Sequence, residues 1–62
     1  MKTAKEIADI VKKIREEQKL TQSELAGILG ISQANLSKIE KGERELKASQ
    51  WIKLCDYFSY GQ

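Results

Sequence analysis

The side chains best suited to chemistry in this chain lie on one side of a predicted helix in its middle third. They are Gln33, Ala34, Ser37 and Lys38, with Asn35 and Lys41 beside them. Glutamine can bond adenine at N6 and N7, lysine can donate to guanine O6 and N7, and an alanine methyl can touch the thymine methyl. No acidic residue belongs to this set. It can therefore read the edges of DNA bases, although an ordinary solvated helix face has the same composition and is more common.

Composition excludes most catalytic and metal-binding functions. The 62 residues contain no histidine and one cysteine, which excludes a histidine base, a histidine-ligated metal and an internal disulfide. The carboxylates are scattered among lysines on predicted helix surfaces and form no paired acid and base. We therefore predict a protein that is not an enzyme and that uses no cofactor and no metal.

Size and charge limit the remaining functions. A chain of 62 residues is enough for one domain, which we place at 1–62. No apolar run exceeds three residues, so neither a signal peptide nor a membrane partner is expected, and a cytoplasmic location is predicted. Eleven Lys or Arg against nine Asp or Glu leave a net charge of +2, too small for strong unspecific binding to nucleic acid. Any such binding must depend on where the charges lie.

Apolar spacing predicts that the two outer segments of the chain are helical. A first helix, at about 4–18, has four apolar residues on one side: Ile7, Ile10, Val11 and Ile14. A fourth helix, at about 48–59, has an apolar side formed by Trp51, Cys55 and Phe58. We expect Cys55 to be a small buried core residue. Lys47 is a poor N-cap for the fourth helix, so Ser49 is an alternative cap that would start the helix two residues later.

The middle of the chain predicts two short helices joined by a tight turn. A capping box that starts at Thr21 begins a helix at about 22–29, and Gly30 ends it. Ser32 is a good N-cap for the next helix, at about 33–41. Because the connection is so short, the two helices should cross at a steep angle.

The segment 22–41, QSELAGILGISQANLSKIEK, resembles the helix-turn-helix of the Cro and phage-repressor (lambda-repressor-like) family of bacterial DNA-binding domains. Ala26 stands where the family packs a small residue between the two helices, and Gly30 stands at the turn. The apolar positions also match those of the family core: Leu25, Leu29, Ile31, Leu36 and Ile39. The resemblance extends from about Ile10 to Phe58, which is most of the chain.

The resemblance implies an all-α fold of four helices, with or without a vestigial fifth, and a helix-turn-helix at about 22–41. It implies sequence-specific binding to double-stranded DNA by a small transcriptional regulator, either a repressor or a controller, located at the nucleoid. Such a protein reads a palindromic operator as a homodimer, with the third helix in the major groove. The residues expected to contact bases are Gln33, Ala34, Ser37 and Lys38. Those expected to contact the DNA backbone are Gln22, Ser32, Asn35, Lys41 and Arg44.

Two further residues acquire a structural role from the resemblance. Glu40 would place a negative charge near DNA, which is unfavourable unless a cation neutralises it. The family commonly pairs this glutamate with the arginine at the end of the first helix, which is Arg15 here. We expect an Arg15–Glu40 ion pair that is largely screened from water.

The end of the chain leaves two alternatives open. Many family members use a fifth helix for dimerisation, but only residues 59–62 remain from the end of the fourth predicted helix onward. Either the fourth helix itself is the dimer surface, or the domain was cut from a longer protein. We expect the candidate dimer interface to include Ile52, Tyr57 and Tyr60. The same aromatic end also suits an alternative function, that of a protein-interaction module such as an antitoxin that binds a partner toxin.

Overall fold

The structure of the chain is a computed structural model that describes residues 3–58. These residues form four helices and no strand: α1 (Ala4–Glu17), α2 (Gln22–Leu29), α3 (Gln33–Glu40) and α4 (Ala48–Phe58). The all-α prediction is thereby confirmed. None of these helices has both the length and the apolar character needed to cross a membrane.

Side chains at the helix starts explain most of the helix boundaries. The Thr3 and Thr21 hydroxyls accept hydrogen bonds from the backbone N–H groups of Glu6 and Glu24, at 3.2 and 3.1 Å. Both glutamates accept in return from the threonine N–H, so α1 and α2 each begin with a complete capping box. The Ser32 hydroxyl caps α3 in a simpler way, because the residue three positions further along is an asparagine rather than an acid.

The turn between α2 and α3 depends on Gly30. Its φ angle is +73°, in the left-handed region that favours glycine. A Cβ atom at this position would also lie 3.0 Å from the Lys53 Nζ. The Ile31 N–H donates to the Ala26 carbonyl at 3.0 Å, which closes the end of α2. Lys19 adopts a positive φ of +56° in the preceding turn, which the sequence did not predict.

One apolar core joins all four helices. Its ten buried residues are Ile7, Val11, Ile14, Leu25, Ala26, Leu29, Leu36, Ile39, Leu46 and Leu54. Ile31, which the resemblance placed with the core, is half-buried and packs against it. Since α3 buries one side against α1 and α2, its other side is held outward in a fixed orientation.

The start and the apolar side of α4 differ from the prediction in detail. The helix begins at Ala48, so the alternative cap at Ser49 is wrong. The Gln50 side chain accepts a hydrogen bond from the Lys47 N–H at 2.9 Å, which is the half of a capping box that the third helical residue supplies. Cys55 is half-buried rather than buried, because Leu54 is the residue that α4 inserts into the core.

Candidate nucleic-acid interface

The predicted base-reading residues lie together on the outward side of α3. Gln33, Ala34 and Lys38 are exposed and Ser37 is half-buried. At 3.6 residues per turn the four positions span about 140° of the helix circumference. The buried residues of α3, Leu36, Ile39 and Glu40, occupy the other side. The first turn of α3 contains no acidic residue, so its positive dipole end is not neutralised from within the helix.

Glu40, at the last position of α3, is held by Arg15 of α1. The Arg15 Nε and Nη2 atoms donate to the two Glu40 carboxylate oxygens at 2.8 and 3.0 Å, a bidentate arrangement. The Glu40 side chain is 3% exposed and that of Arg15 is 19% exposed. The hydrogen bond to Glu40 raises the pKa of Arg15 above its ordinary value, so the guanidinium keeps its charge. Arg15 also donates to the Leu20 carbonyl, which ties it to the turn before α2.

The ion pair continues outward through two glutamines. The Gln22 Nε2 donates to the Glu40 Oε1 at 3.2 Å, and the Gln33 Nε2 donates to the Gln22 Oε1 at 2.6 Å. Arg15, Glu40, Gln22 and Gln33 thus form one hydrogen-bonded chain, which we call the amide chain, that runs from a buried carboxylate to the exposed start of α3. The resemblance predicts the Arg15–Glu40 ion pair and assigns Gln22 and Gln33 to DNA contacts, but it does not predict the hydrogen bonds that link the two glutamines to each other and to Glu40. The available signal was that glutamine is the first residue of both α2 and α3.

A polar cleft of about 340 Å³ lies between α1 and the helix-turn-helix. Its lining residues are Lys12, Arg15, Glu16, Gln22, Ser37, Glu40 and Lys41. Lys12 and Lys41 come from different helices, and both are exposed. The sequence gives Lys12 no role in the site, since it does not show that the Lys12 side of α1 borders α3.

The other predicted backbone contacts lie around the two ends of α3. The Ser32 hydroxyl accepts from the Asn35 N–H at 3.1 Å, which leaves its own proton free to donate. The Arg44 Nη1 donates to the Asn35 Oδ1 at 3.2 Å. Arg44 lies in the loop after α3, so this contact links the loop to the first turn of the helix. Glu43 and Glu45 flank Arg44 in the loop and are exposed.

The predicted dimer residues do not form one patch on α4. Ile52 is 60% exposed and Tyr57 is 65% exposed. They are five positions apart, which places them about 140° apart around the helix. The Tyr57 ring makes an edge-to-face contact with Phe58 at a centroid distance of 4.9 Å. Tyr60 lies outside the described residues.

Comparison with known families identifies the chain. Residues 11–61 match the helix-turn-helix family, the family of Cro and lambda-repressor-like domains, so the chain belongs to it. Comparisons with curated proteins and with solved structures gave no match. Membership supports sequence-specific DNA binding and DNA as the partner. The family is typically not enzymatic.

Proposed function

We propose that the chain is a single-domain transcriptional regulator, a repressor or controller, that binds a palindromic operator as a homodimer. The outward side of α3 supports this proposal most directly. It presents amide, methyl, hydroxyl and ammonium groups with no carboxylate among them, on a helix that packs against both α1 and α2. A helix held in this way can enter the major groove, where each base pair shows a distinct donor and acceptor pattern. Its place of action is the nucleoid in the cytoplasm.

Base contacts are assigned to Gln33, Ala34, Ser37 and Lys38. Gln33, at the first position of α3, can bond adenine at N6 and N7. The exposed Ala34 methyl can touch a thymine methyl, and Lys38 can donate to guanine. Ser37 lies between Gln33 and Lys38 around the helix and is half-buried, so it reaches only a base that approaches closely.

Phosphate contacts are assigned to residues around the cleft and the ends of α3. They are Gln22, Ser32, Asn35, Lys41 and Arg44, and we add Lys12 on structural grounds. Lys12 and Lys41 line the same cleft as Gln22, so a phosphate there would meet two ammonium groups and the start of α2. The small net charge of the chain makes such local placement necessary.

Dimerisation is assigned to α4. Ile52 shares one side of this helix with Ala48, Trp51 and Cys55, which follow the three-and-four spacing of a packing stripe. This stripe is exposed or half-buried, and we propose that it meets the same stripe of a second copy. Tyr57 lies nearly opposite this stripe around α4, so it would not take part in that contact, and the expectation for Tyr60 falls outside the described residues. A dimer would read two half-sites about 34 Å apart.

Selection from random duplex DNA at about 0.15 M salt tests the proposal directly, because salt strongly affects such binding. We expect a two-fold symmetric motif with half-sites near one helical turn. Gln33→Ala should cost about 1–3 kcal/mol on this site and relax the preference at one base pair. Lys41→Ala or Arg44→Ala should weaken binding to all sequences and lower the salt slope by ~0.9 per lost contact. An unchanged salt slope would remove these two residues from the interface.

A second function is favoured by the exposed apolar residues of α4. Ile52 and Tyr57 would suit a protein partner such as a toxin, with the chain acting as its antitoxin. Absence of an enriched motif, together with a stoichiometric complex with the product of a neighbouring toxin gene, would favour this function. DNA contact through α3 is compatible with a protein partner on α4, but a toxin that covers Ile52 would compete with the dimer contact proposed above.

A further inference from the structure

We propose that the buried Glu40 is a positioning residue that decides which base the chain reads at the start of α3. It does so through the amide chain, by fixing which end of the Gln33 amide faces the groove. The inference rests on the proposed function, in which Gln33 contacts a base edge. Glu40 itself is 3% exposed and would touch no DNA.

The first step follows from the charge of Glu40. Its carboxylate is held by the Arg15 guanidinium at 2.8 and 3.0 Å, and an ionised carboxylate can only accept hydrogen bonds. Gln22 must therefore turn its NH₂ group toward Glu40, where the separation is 3.2 Å. The opposite orientation would bring a carbonyl oxygen against a carboxylate oxygen, with no proton between them.

The second step carries this orientation to the surface. With its NH₂ group turned toward Glu40, the Gln22 amide turns its Oε1 toward Gln33. Gln33 must donate to that oxygen, and the distance is 2.6 Å. The Gln33 amide is thereby left with one N–H and its Oε1 for a base. Neither end of the amide can be exchanged without breaking a hydrogen bond further inside.

The third step is the match between the bases and the two groups that Gln33 has left, one N–H and its Oε1. Adenine offers N7 as an acceptor and N6 as a donor in the major groove, which fit one N–H and one carbonyl oxygen. Guanine offers two acceptors, N7 and O6, so the fixed Oε1 would face another oxygen. A free glutamine could turn its amide over and donate to guanine. The amide chain removes that choice, so discrimination follows from preorganisation of an exposed side chain.

Two variants interrupt the amide chain at different points. Glu40→Gln replaces the fixed acceptor by an amide of similar size that can also donate. Gln22→Ala removes the link to Gln33 and leaves the Arg15–Glu40 ion pair in place, so it serves if the first variant is poorly folded. Glu24→Gln is the matched control: it makes the same chemical change on α2, where glutamine still completes a capping box. Gln33→Ala identifies the base pair in question.

The measured quantity is the ratio of affinities for adenine and guanine at that base pair. A good bidentate contact corresponds to about a 5- to 150-fold preference in the wild-type protein. We expect less than about 3-fold in Glu40→Gln and Gln22→Ala, and a wild-type ratio in Glu24→Gln. Loss of a phosphate contact in Gln22→Ala lowers affinity for both sequences and cancels in the ratio.

The outcomes separate the inference from the function on which it rests. Suppose that Gln33→Ala relaxes the base preference at one base pair while Glu40→Gln and Gln22→Ala both keep the wild-type preference there. In that case the inference is wrong and the proposed function stands. A guanine preference at that pair in the wild-type protein would also overturn the inference alone. If Gln33→Ala changes no base pair, or if the wild-type protein enriches no motif, both are wrong.

Discussion

The helices α2 and α3 are matched in length but place their single carboxylate at opposite ends. Both have eight residues, and both begin with glutamine. In α2 the acid is Glu24, in the first turn and exposed, where it completes the cap with Thr21. In α3 the acid is Glu40, in the last position and buried against Arg15. The two helices thus differ in which end carries the negative charge.

Helix electrostatics give this difference its meaning. A carboxylate is favourable near a helix N-terminus and unfavourable near the C-terminus. α2 has the favourable arrangement, whereas α3 has the unfavourable one and depends on Arg15 of another helix to offset it. In return, the first turn of α3 carries no negative charge. We infer that α2 is arranged for stability and α3 for contact with an anionic partner.

The largest expected effect comes from removing the cation that makes the α3 arrangement tolerable. Arg15→Ala leaves the Glu40 carboxylate buried without its charge partner, and should lower the free energy of unfolding by about 3–5 kcal/mol. Glu40→Ala should cost less, about 1–3 kcal/mol, because the partly exposed Arg15 can turn to water. Urea unfolding measures both. Lys12→Ala, one turn earlier on α1, is the control and should stay within about 0.5 kcal/mol. Equal costs for all three would mean that the pair is not a buried charge interaction.

The next effect comes from giving α3 the same capping box as α2. Asn35→Glu places an acid three residues after Ser32 and should stabilise the fold by about 0.3–1 kcal/mol. The same charge should weaken DNA binding about tenfold or more, because in the proposed complex it would lie beside phosphates. Asn35→Gln is the uncharged control of the same length. Thermal unfolding and a binding titration should move in opposite directions, and tighter binding by Asn35→Glu would refute the assignment of α3 to DNA.

A smaller effect on stability is expected at Gly27, the sixth residue of α2, where α3 has Lys38. A Cβ atom at Gly27 would meet nothing within 4 Å, and nothing in the structure explains a glycine there. Gly27→Ala should therefore raise the free energy of unfolding by about 0.5–1 kcal/mol. Gly30→Ala should act in the opposite direction, because Gly30 has a positive φ angle and the Lys53 Nζ nearby. A loss of DNA binding in a stable Gly27→Ala protein would show that DNA approaches α2 closely.

The smallest effect is the pH dependence of the α2 cap. The hydrogen bond from the Thr21 backbone, followed by that from its side chain, lowers the pKa of Glu24 below its ordinary value of 4.5. A lowered folded-state pKa means that the stabilisation is complete above the unfolded-state value and is lost as pH falls through the folded-state value. Wild-type protein should thus lose stability relative to Glu24→Gln only below about pH 4.5. A difference that changes between pH 6 and 8 would contradict this cause.

Local sequence was sufficient for the helices and insufficient for the contacts between them. Neighbouring residues are enough to form the capping boxes at Thr3 and Thr21 and the turn at Gly30. The helix boundaries predicted at these points agree with the structure. The start of α4 was less certain, since Lys47 does not look like a cap and Gln50 had no assigned role. The left-handed Lys19 was missed because nothing in its residue type indicates a positive φ.

What could be derived from residue order alone is what depends on neighbours along the chain: an all-α fold, four helices, their caps, and the side of α3 that faces outward. Helical periodicity and capping depend on residues three or four positions apart, so they can be recognised in the sequence. The amide chain and the cleft depend on distances between α1, α2 and α3. Arg15 and Glu40 are 25 positions apart, and Gln22 and Gln33 are 11 apart. Packing of the shared core brings these residues within hydrogen-bonding distance. The link from the buried Glu40 carboxylate to the exposed Gln33 amide therefore exists only in the folded protein.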